Sequence, residues 1–169
     1  MNRAFVKEDD EDKLTDEELN LPQIDGPVLL TPAGFERLKA ELEAAHAEVT
    51  RLRGADSPED KLALARAMRT MRILELRRGA AVVVAPPHHG EHADTVAFGS
   101  SVTVEDEAGD EHNYTLVGAT EAEPKRGLIN VKSPLAEALL GHRVGDTVTW
   151  RRPAGETPLT ITRIAYPEA

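Results

Sequence analysis

Six apolar residues constrain what this chain can fold into more than any other feature. Phe35, Leu38, Leu42, Ala45, Val49 and Leu52 recur at intervals of 3, 4, 3, 4 and 3, the seam along which one helix lies against another in a coiled coil. Leu64, Met68, Met71 and Leu74 form a second seam. Only Gly54 to Ser57 separate the two stretches, so the helices must be antiparallel neighbours. Thr31-Pro32 opens the first helix with a cap and a first-turn proline, and Gly54 closes it,. Ser57-Pro58-Glu59-Asp60 repeats the opening signal, with carboxylates at the positive end of the helix dipole, and Arg78-Gly79 ends the second helix,. Each arm is about 30 Å long at 1.5 Å per residue, and its far half is expected to project into solvent. The corner Asp56-Ser57-Pro58-Glu59 is therefore a tip.

Charge is distributed unevenly along the 169 residues. The net charge of -10 argues against a nucleic-acid binder at first sight,. Residues 1–29, however, hold nine acids and three bases, while Lys61 to Arg78 hold six bases against Glu75 alone. The acidic segment lacks the apolar side chains needed to offset the entropy of ordering and reads as a disordered tail. It serves either to keep the chain soluble or to mimic nucleic acid and shield the basic helix. Arg66, Arg69 and Arg72 recur on one flank of that helix, either as a solvated face or as a contact for phosphate or a protein partner. No run is apolar enough to cross a membrane, the start lacks the pattern of a secretory signal, and there is no cysteine,. These features suit a cytoplasmic protein with no membrane attachment.

Ala85 to His92 is proline-rich and reads as a linker, residues 85–93,. Its His88, His89 and His92 could ligate a metal, but the segment has no stiff frame to hold them,. From Ala97 the period changes to that of strands: 101–106 and 113–117 form a hairpin, 128–131 a further strand, and 147–151 with 159–164 a second hairpin about Pro153 to Glu156,. A short helix from Leu135 to Leu140 starts at Ser133-Pro134 and stops at Gly141,. The fold class is thus α+β: a disordered tail (1–29), a helical hairpin (30–84), a linker and a small antiparallel-sheet domain (94–169).

Three stretches resemble the bacterial Gre family of transcript-cleavage factors. They are Leu30-Thr31-Pro32-Ala33-Gly34-Phe35 with Leu38-Lys39-Ala40-Glu41-Leu42; the tip acids of Asp56-Ser57-Pro58-Glu59; and Ser133-Pro134-Leu135-Ala136-Glu137-Ala138-Leu139-Leu140 running on to Val144-Gly145-Asp146. The resemblance implies a coiled-coil arm that enters the secondary channel of bacterial RNA polymerase and an FKBP-like C-terminal domain on the channel rim, with Ser133, Pro134, Gly145 and Asp146 among the rim contacts. It also implies that Asp56 and Glu59 help hold an Mg²⁺ of the polymerase site while the 3′ end of backtracked RNA is cut. The chain would need no cofactor of its own, act as a monomer, and not itself be an enzyme. Arg66, Arg69 and Arg72 would then face polymerase or RNA.

Compared with the family pattern, the arm is shorter by roughly a heptad per side, about 10 Å, and the dyad is followed by Asp60, Lys61, Leu62 and Ala63 rather than asparagine and an aromatic. A short-armed competitor that fills the channel without promoting cleavage is the nearest alternative. Two readings come from other classes. A prolyl isomerase needs aromatic pocket walls, for which this chain offers three Phe, two Tyr and one Trp,; the other is a coiled-coil adaptor. Outside any family, helix capping accounts for Asp56 and Glu59 without a metal.

Overall fold

The computed structural model describes residues 20–54, 56–85, 87 and 94–167. The linker histidines, residues 1–19 of the tail and the C-terminal pair 168–169 lie outside them. A short strand β1 (Val28–Leu30) leads into helix α1 (Pro32–Leu52), and helix α2 (Pro58–Gly79) returns to strand β2 (Ala81–Val83). The second unit contains β3 (Ser101–Glu105), β4 (Glu111–Val117), a 3-10 turn (Pro124–Arg126), β5 (Leu128–Asn130), α3 (Pro134–Leu139), β6 (Thr147–Arg152) and β7 (Gly155–Ala165).

The hairpin follows its apolar spacing. Leu38, Leu42, Val49 and Leu52 of α1 are buried, and Leu74 of α2 is buried against Leu38 and Leu42. At about 1.5–3 kcal/mol for each fully buried leucine, this seam outweighs the weak intrinsic preference of a lone helix. Both predicted caps form: Thr31 Oγ1 accepts from Gly34 N at 3.0 Å, and Ser57 Oγ from Asp60 N at 3.1 Å.

The base of the hairpin differs from expectation. Val28–Leu30 and Ala81–Val83 pair in parallel, so the boundary drawn between tail and hairpin at residue 29 falls inside β1. Two three-residue strands give no readable alternation; they form because α1 and α2 bring residues 28–30 and 81–83 side by side. Leu30 joins Leu38, Leu42 and Leu74 in one small core.

The C-terminal sheet runs in the order β5-β4-β3-β7-β6. All its pairs are antiparallel except β4 with β5, which are parallel; the sheet is mixed rather than wholly antiparallel. The 3-10 turn carries the chain across between those two strands. A register shift between Thr103 and Val104 opposite β7 bends the sheet,, and the turn after β6 tightens to Pro153-Ala154, since Arg152 pairs with Gly155. Val102, Val104, Leu116, Leu159 and Ile161 line one face of the sheet and pack on Leu135, Ala136 and Leu139 of α3.

The two cores meet through polar groups. Glu121, in the loop after β4, reaches the N-terminus of α1, where Thr31 N donates to its Oε2 at 2.9 Å and Thr31 Oγ1 to its Oε1 at 2.6 Å. Two glycines permit the approach. A Cβ on Gly34 would stand 2.0 Å from Glu121 Oε1, and one on Gly118 would stand 1.8 Å from the Leu29 carbonyl oxygen.

Candidate functional site

The hairpin tip is built by three local devices. Arg53 caps α1 by donating its N–H to the Val49 carbonyl at 3.1 Å. Gly54 then turns the chain at φ +87, a region open to glycine at little cost. Ser57 starts α2, and its hydroxyl donates to Asp60 Oδ2 at 2.6 Å while accepting from Asp60 N. Both bonds run through the Ser57 hydroxyl, so the Asp60 carboxylate holds the capping side chain in place.

This arrangement separates the acids of the tip by role. Asp60 is engaged with the Ser57 cap. Asp56 and Glu59, the two predicted site residues, flank the cap, are exposed, and enter no hydrogen bond or ion pair among the described residues. Glu59 keeps a favourable position in the first turn of α2,, but neither carboxylate is used to cap the helix. Exposed carboxylates three positions apart are of the type that suits Mg²⁺, which retains most of its waters and takes one or two carboxylates,. No group of three or more metal-ligating side chains gathers among the described residues, so the pair can complete a metal site but does not constitute one.

The arginines divide as well. Arg66 and Arg69 are exposed, and Arg69 Nη2 donates to the Asn20 carbonyl at 3.3 Å. Arg72 is half-buried and pairs with Glu75 at 3.2 Å; His46 of α1 reaches the other oxygen of that carboxylate at 3.4 Å. Arg72 therefore helps tie α2 to α1, whereas Arg66 and Arg69 present charge outward.

In the C-terminal domain Ser133 and Pro134 start α3, with Ser133 Oγ accepting from Ala136 N at 3.3 Å. Gly145 sits at φ +92 and donates its N–H to the Ile161 carbonyl at 2.8 Å. Asp146 Oδ2 accepts from Arg143 N at 2.8 Å and lies 3.4 Å from His142 Nδ1. The Arg143 N–H, with a smaller contribution from His142, holds the Asp146 carboxyl below its usual range,. These bonds fix a surface turn that presents Val144, 56% exposed, between His142 and Asp146. The motif alone did not single out this exposed valine.

Glu121 is the residue that sequence reading missed. Its side chain is 6% exposed, and its partner lies ninety positions away, in a stretch whose composition reads only as loop.

Residues 91–166 match the family model described as the C-terminal domain of the transcription elongation factors GreA and GreB. The chain is 48% identical over 80 residues to GreA of Anaeromyxobacter sp. (strain K), covering 46% of this chain and 48% of that protein. It is 36% identical over 110 residues to GreA of Listeria monocytogenes serotype 4a, covering 64% and 66%. The chain thus spans about half the length of several curated relatives it matches. Among solved structures it is similar to GreA factor homolog 1 of Thermus thermophilus, at TM-score 0.39 and 29% identity over 82% of this chain and 99% of that one. It is also similar to a GreA/GreB factor of Nitrosomonas europaea, at TM-score 0.41 and 23% identity over 84% and 100%. On the family match and on the identity to GreA proteins, the sheet domain of this chain is a C-terminal domain of the GreA/GreB family of transcription elongation factors.

Proposed function

We propose that this chain acts on RNA polymerase at the secondary channel: the C-terminal domain grips the rim and the helical hairpin carries Asp56 and Glu59 toward the polymerase active site. The observation that carries this reading is that both carboxylates are exposed at the tip while Ser57 and Asp60 do the capping. Mg²⁺ of the polymerase site would activate the attacking water and stabilise both attacking and leaving oxygens. The chain's part is to supply two oxygen ligands on a stiff arm; Val144 and the turn held by Asp146 supply a rigid surface for the rim. The chain itself is a cofactor of the polymerase and not an enzyme.

Arm length favours a second reading. With 21 and 22 residues, the two helices span about 32 Å, short of the family pattern by about two turns per side. An arm that stops short would fill the channel without completing the metal site, and displacement of a ligand by about 1 Å already costs catalysis heavily.

The test uses stalled, backtracked transcription complexes with 3′-labelled RNA. Short 3′ fragments that appear with wild type and vanish with the Asp56→Ala, Glu59→Ala double variant support the cleavage reading. No fragments, together with reduced cleavage by an added long-armed Gre factor, leave the competitor. Failure to bind core polymerase contradicts both.

A further inference from the structure

The C-terminal sheet ends in an open edge. β6 is the last strand in the order β5-β4-β3-β7-β6, and its ladder with β7 fixes which way each backbone group points. Ile161 N donates to the Asp146 carbonyl at 2.9 Å. Residue 146 thus faces β7, and by the alternation of an antiparallel pair so do Val148, Trp150 and Arg152,. Pro158, which has no N–H to give, stands opposite Thr149, in agreement with that phase,. The N–H and C=O groups of Thr147, Thr149 and Arg151 therefore point away from the sheet. All three residues are exposed, and their backbones meet no other partner among the described residues.

Six residues at about 3.3 Å each make an edge about 20 Å long,. Its charged side chains are basic. Arg151 is 83% exposed and lies 3.4 Å from Glu156. On the opposite face Arg152 lies over the Trp150 ring, 4.6 Å from its centroid, and donates to Thr157 Oγ1 at 2.7 Å. With Arg143, just ahead of the strand, they are three of the seven Lys and Arg between residues 94 and 167, a stretch with eleven acids. Asp146 is the one acid from 143 to 152, and its carboxylate accepts from the Arg143 N–H. An open edge accepts another strand, and charge decides which. A second copy would bring the same positive edge, whereas an acidic strand is complementary to it.

We propose that β6 is a docking edge for an extended acidic peptide segment. The segment adds beside β6, exchanges backbone hydrogen bonds with Thr147, Thr149 and Arg151, and sets its carboxylates against Arg151 and Arg152. Stacking on Trp150 already orders Arg152,, so less side-chain freedom is lost when a carboxylate arrives. Binding at this edge is measurable on the chain alone, without polymerase.

The test uses the full-length chain and two synthetic peptides of about seven residues, one alternating glutamate with valine and the other lysine with valine. At saturation the glutamate peptide should slow amide hydrogen exchange at Thr147, Thr149 and Arg151 about tenfold or more, while Val148, Trp150 and Arg152, already paired, change by less than about twofold. It should bind about fivefold or more tighter than the lysine peptide at low salt, with the difference narrowing at about 0.5 M. Thr149→Pro removes one outward N–H and no bond to β7, and should abolish binding while the rest of the amide spectrum is retained. Arg151→Glu with Arg152→Glu, which leaves the strand backbone intact, should reverse the preference toward the lysine peptide. Protection that ignores the odd–even phase, equal binding of the two peptides, or a preference unchanged in the arginine variant overturns the proposal. Protection of the odd-numbered amides in the free chain would give the edge to a second copy or to another part of the chain, and overturns it as well.

Discussion

Thr31 donates both its backbone N–H and its hydroxyl to the carboxylate of Glu121, at 2.9 and 2.6 Å, and in doing so one loop of the sheet domain caps the helix that begins the arm. The contact is polar and largely shielded, with the Glu121 side chain 6% exposed and Thr31 8% exposed. Hydrogen bonds to a charged acceptor in such a site contribute about 1.5–3 kcal/mol, and the negative charge also meets the positive end of α1. One carboxylate of the sheet domain thus holds the start of the arm.

Glu121→Ala should therefore cost about 2–3 kcal/mol in urea unfolding, because it leaves the buried Thr31 N–H without its acceptor. The same substitution should broaden the distribution of distances between spin labels on arm and sheet domain. An unchanged distribution would place the junction elsewhere.

Gly118→Ala tests the same junction from the backbone side. Its Cβ would lie 1.8 Å from the Leu29 carbonyl oxygen, and a backbone atom cannot rotate away. We expect β1 to be displaced and stability to fall by about 2–3 kcal/mol, with amide shifts concentrated at residues 28–31 and 81–83. Gly34→Ala is expected to be milder, since the atom it meets is the end of the Glu121 side chain.

At the tip, structural and functional acids separate experimentally. Ser57→Ala removes the cap and should cost about 1 kcal/mol. Asp56→Ala and Glu59→Ala, which disturb no hydrogen bond among the described residues, should each stay within about 0.5 kcal/mol of wild type. Thermal unfolding of the three variants checks this ordering.

Acid should loosen the turn of the sheet domain. Asp146 has its folded-state pKa depressed, chiefly by the Arg143 N–H, so its contribution is present above the ordinary carboxylate value of about 4 and is lost as pH falls through the lower folded value. Asp106 follows the same sign, held down first by His112 and then by the Asp110 and Ala108 N–H groups. Asp146→Asn should reduce the loss of stability between about pH 4 and pH 2, measured by denaturant unfolding at each pH. An unaltered acid limb would show that this turn does not contribute to it.

Much of this was legible in the chain itself. The seam from Phe35 to Leu52, the caps at Thr31, Ser57 and Ser133, and the strands around Val102, Leu116 and Ile161 all follow from local period and local side-chain chemistry. β1 and β2 were not, because three residues carry no period and their pairing is imposed by the hairpin between them. The parallel pairing of β4 with β5 depends on how the chain crosses at Pro124–Arg126, which strand patterning does not encode. At the site, the spacing of Asp56 and Glu59 was visible, but only the Ser57–Asp60 bonds separate capping from availability. Glu121 was out of reach of any local reading, as its partner lies ninety positions away.

Whether the tip enters the polymerase is most directly tested by photo-crosslinking from the tip itself. The natural chain has no cysteine, so Glu59→Cys gives one attachment point for a short photoactivatable group while the rest of the protein is unchanged. In backtracked complexes we predict crosslinks to the lining of the active centre or to the 3′ end of the RNA, abolished by an excess of unlabelled chain. Binding to polymerase with crosslinks confined to its outer surface would contradict the proposed placement.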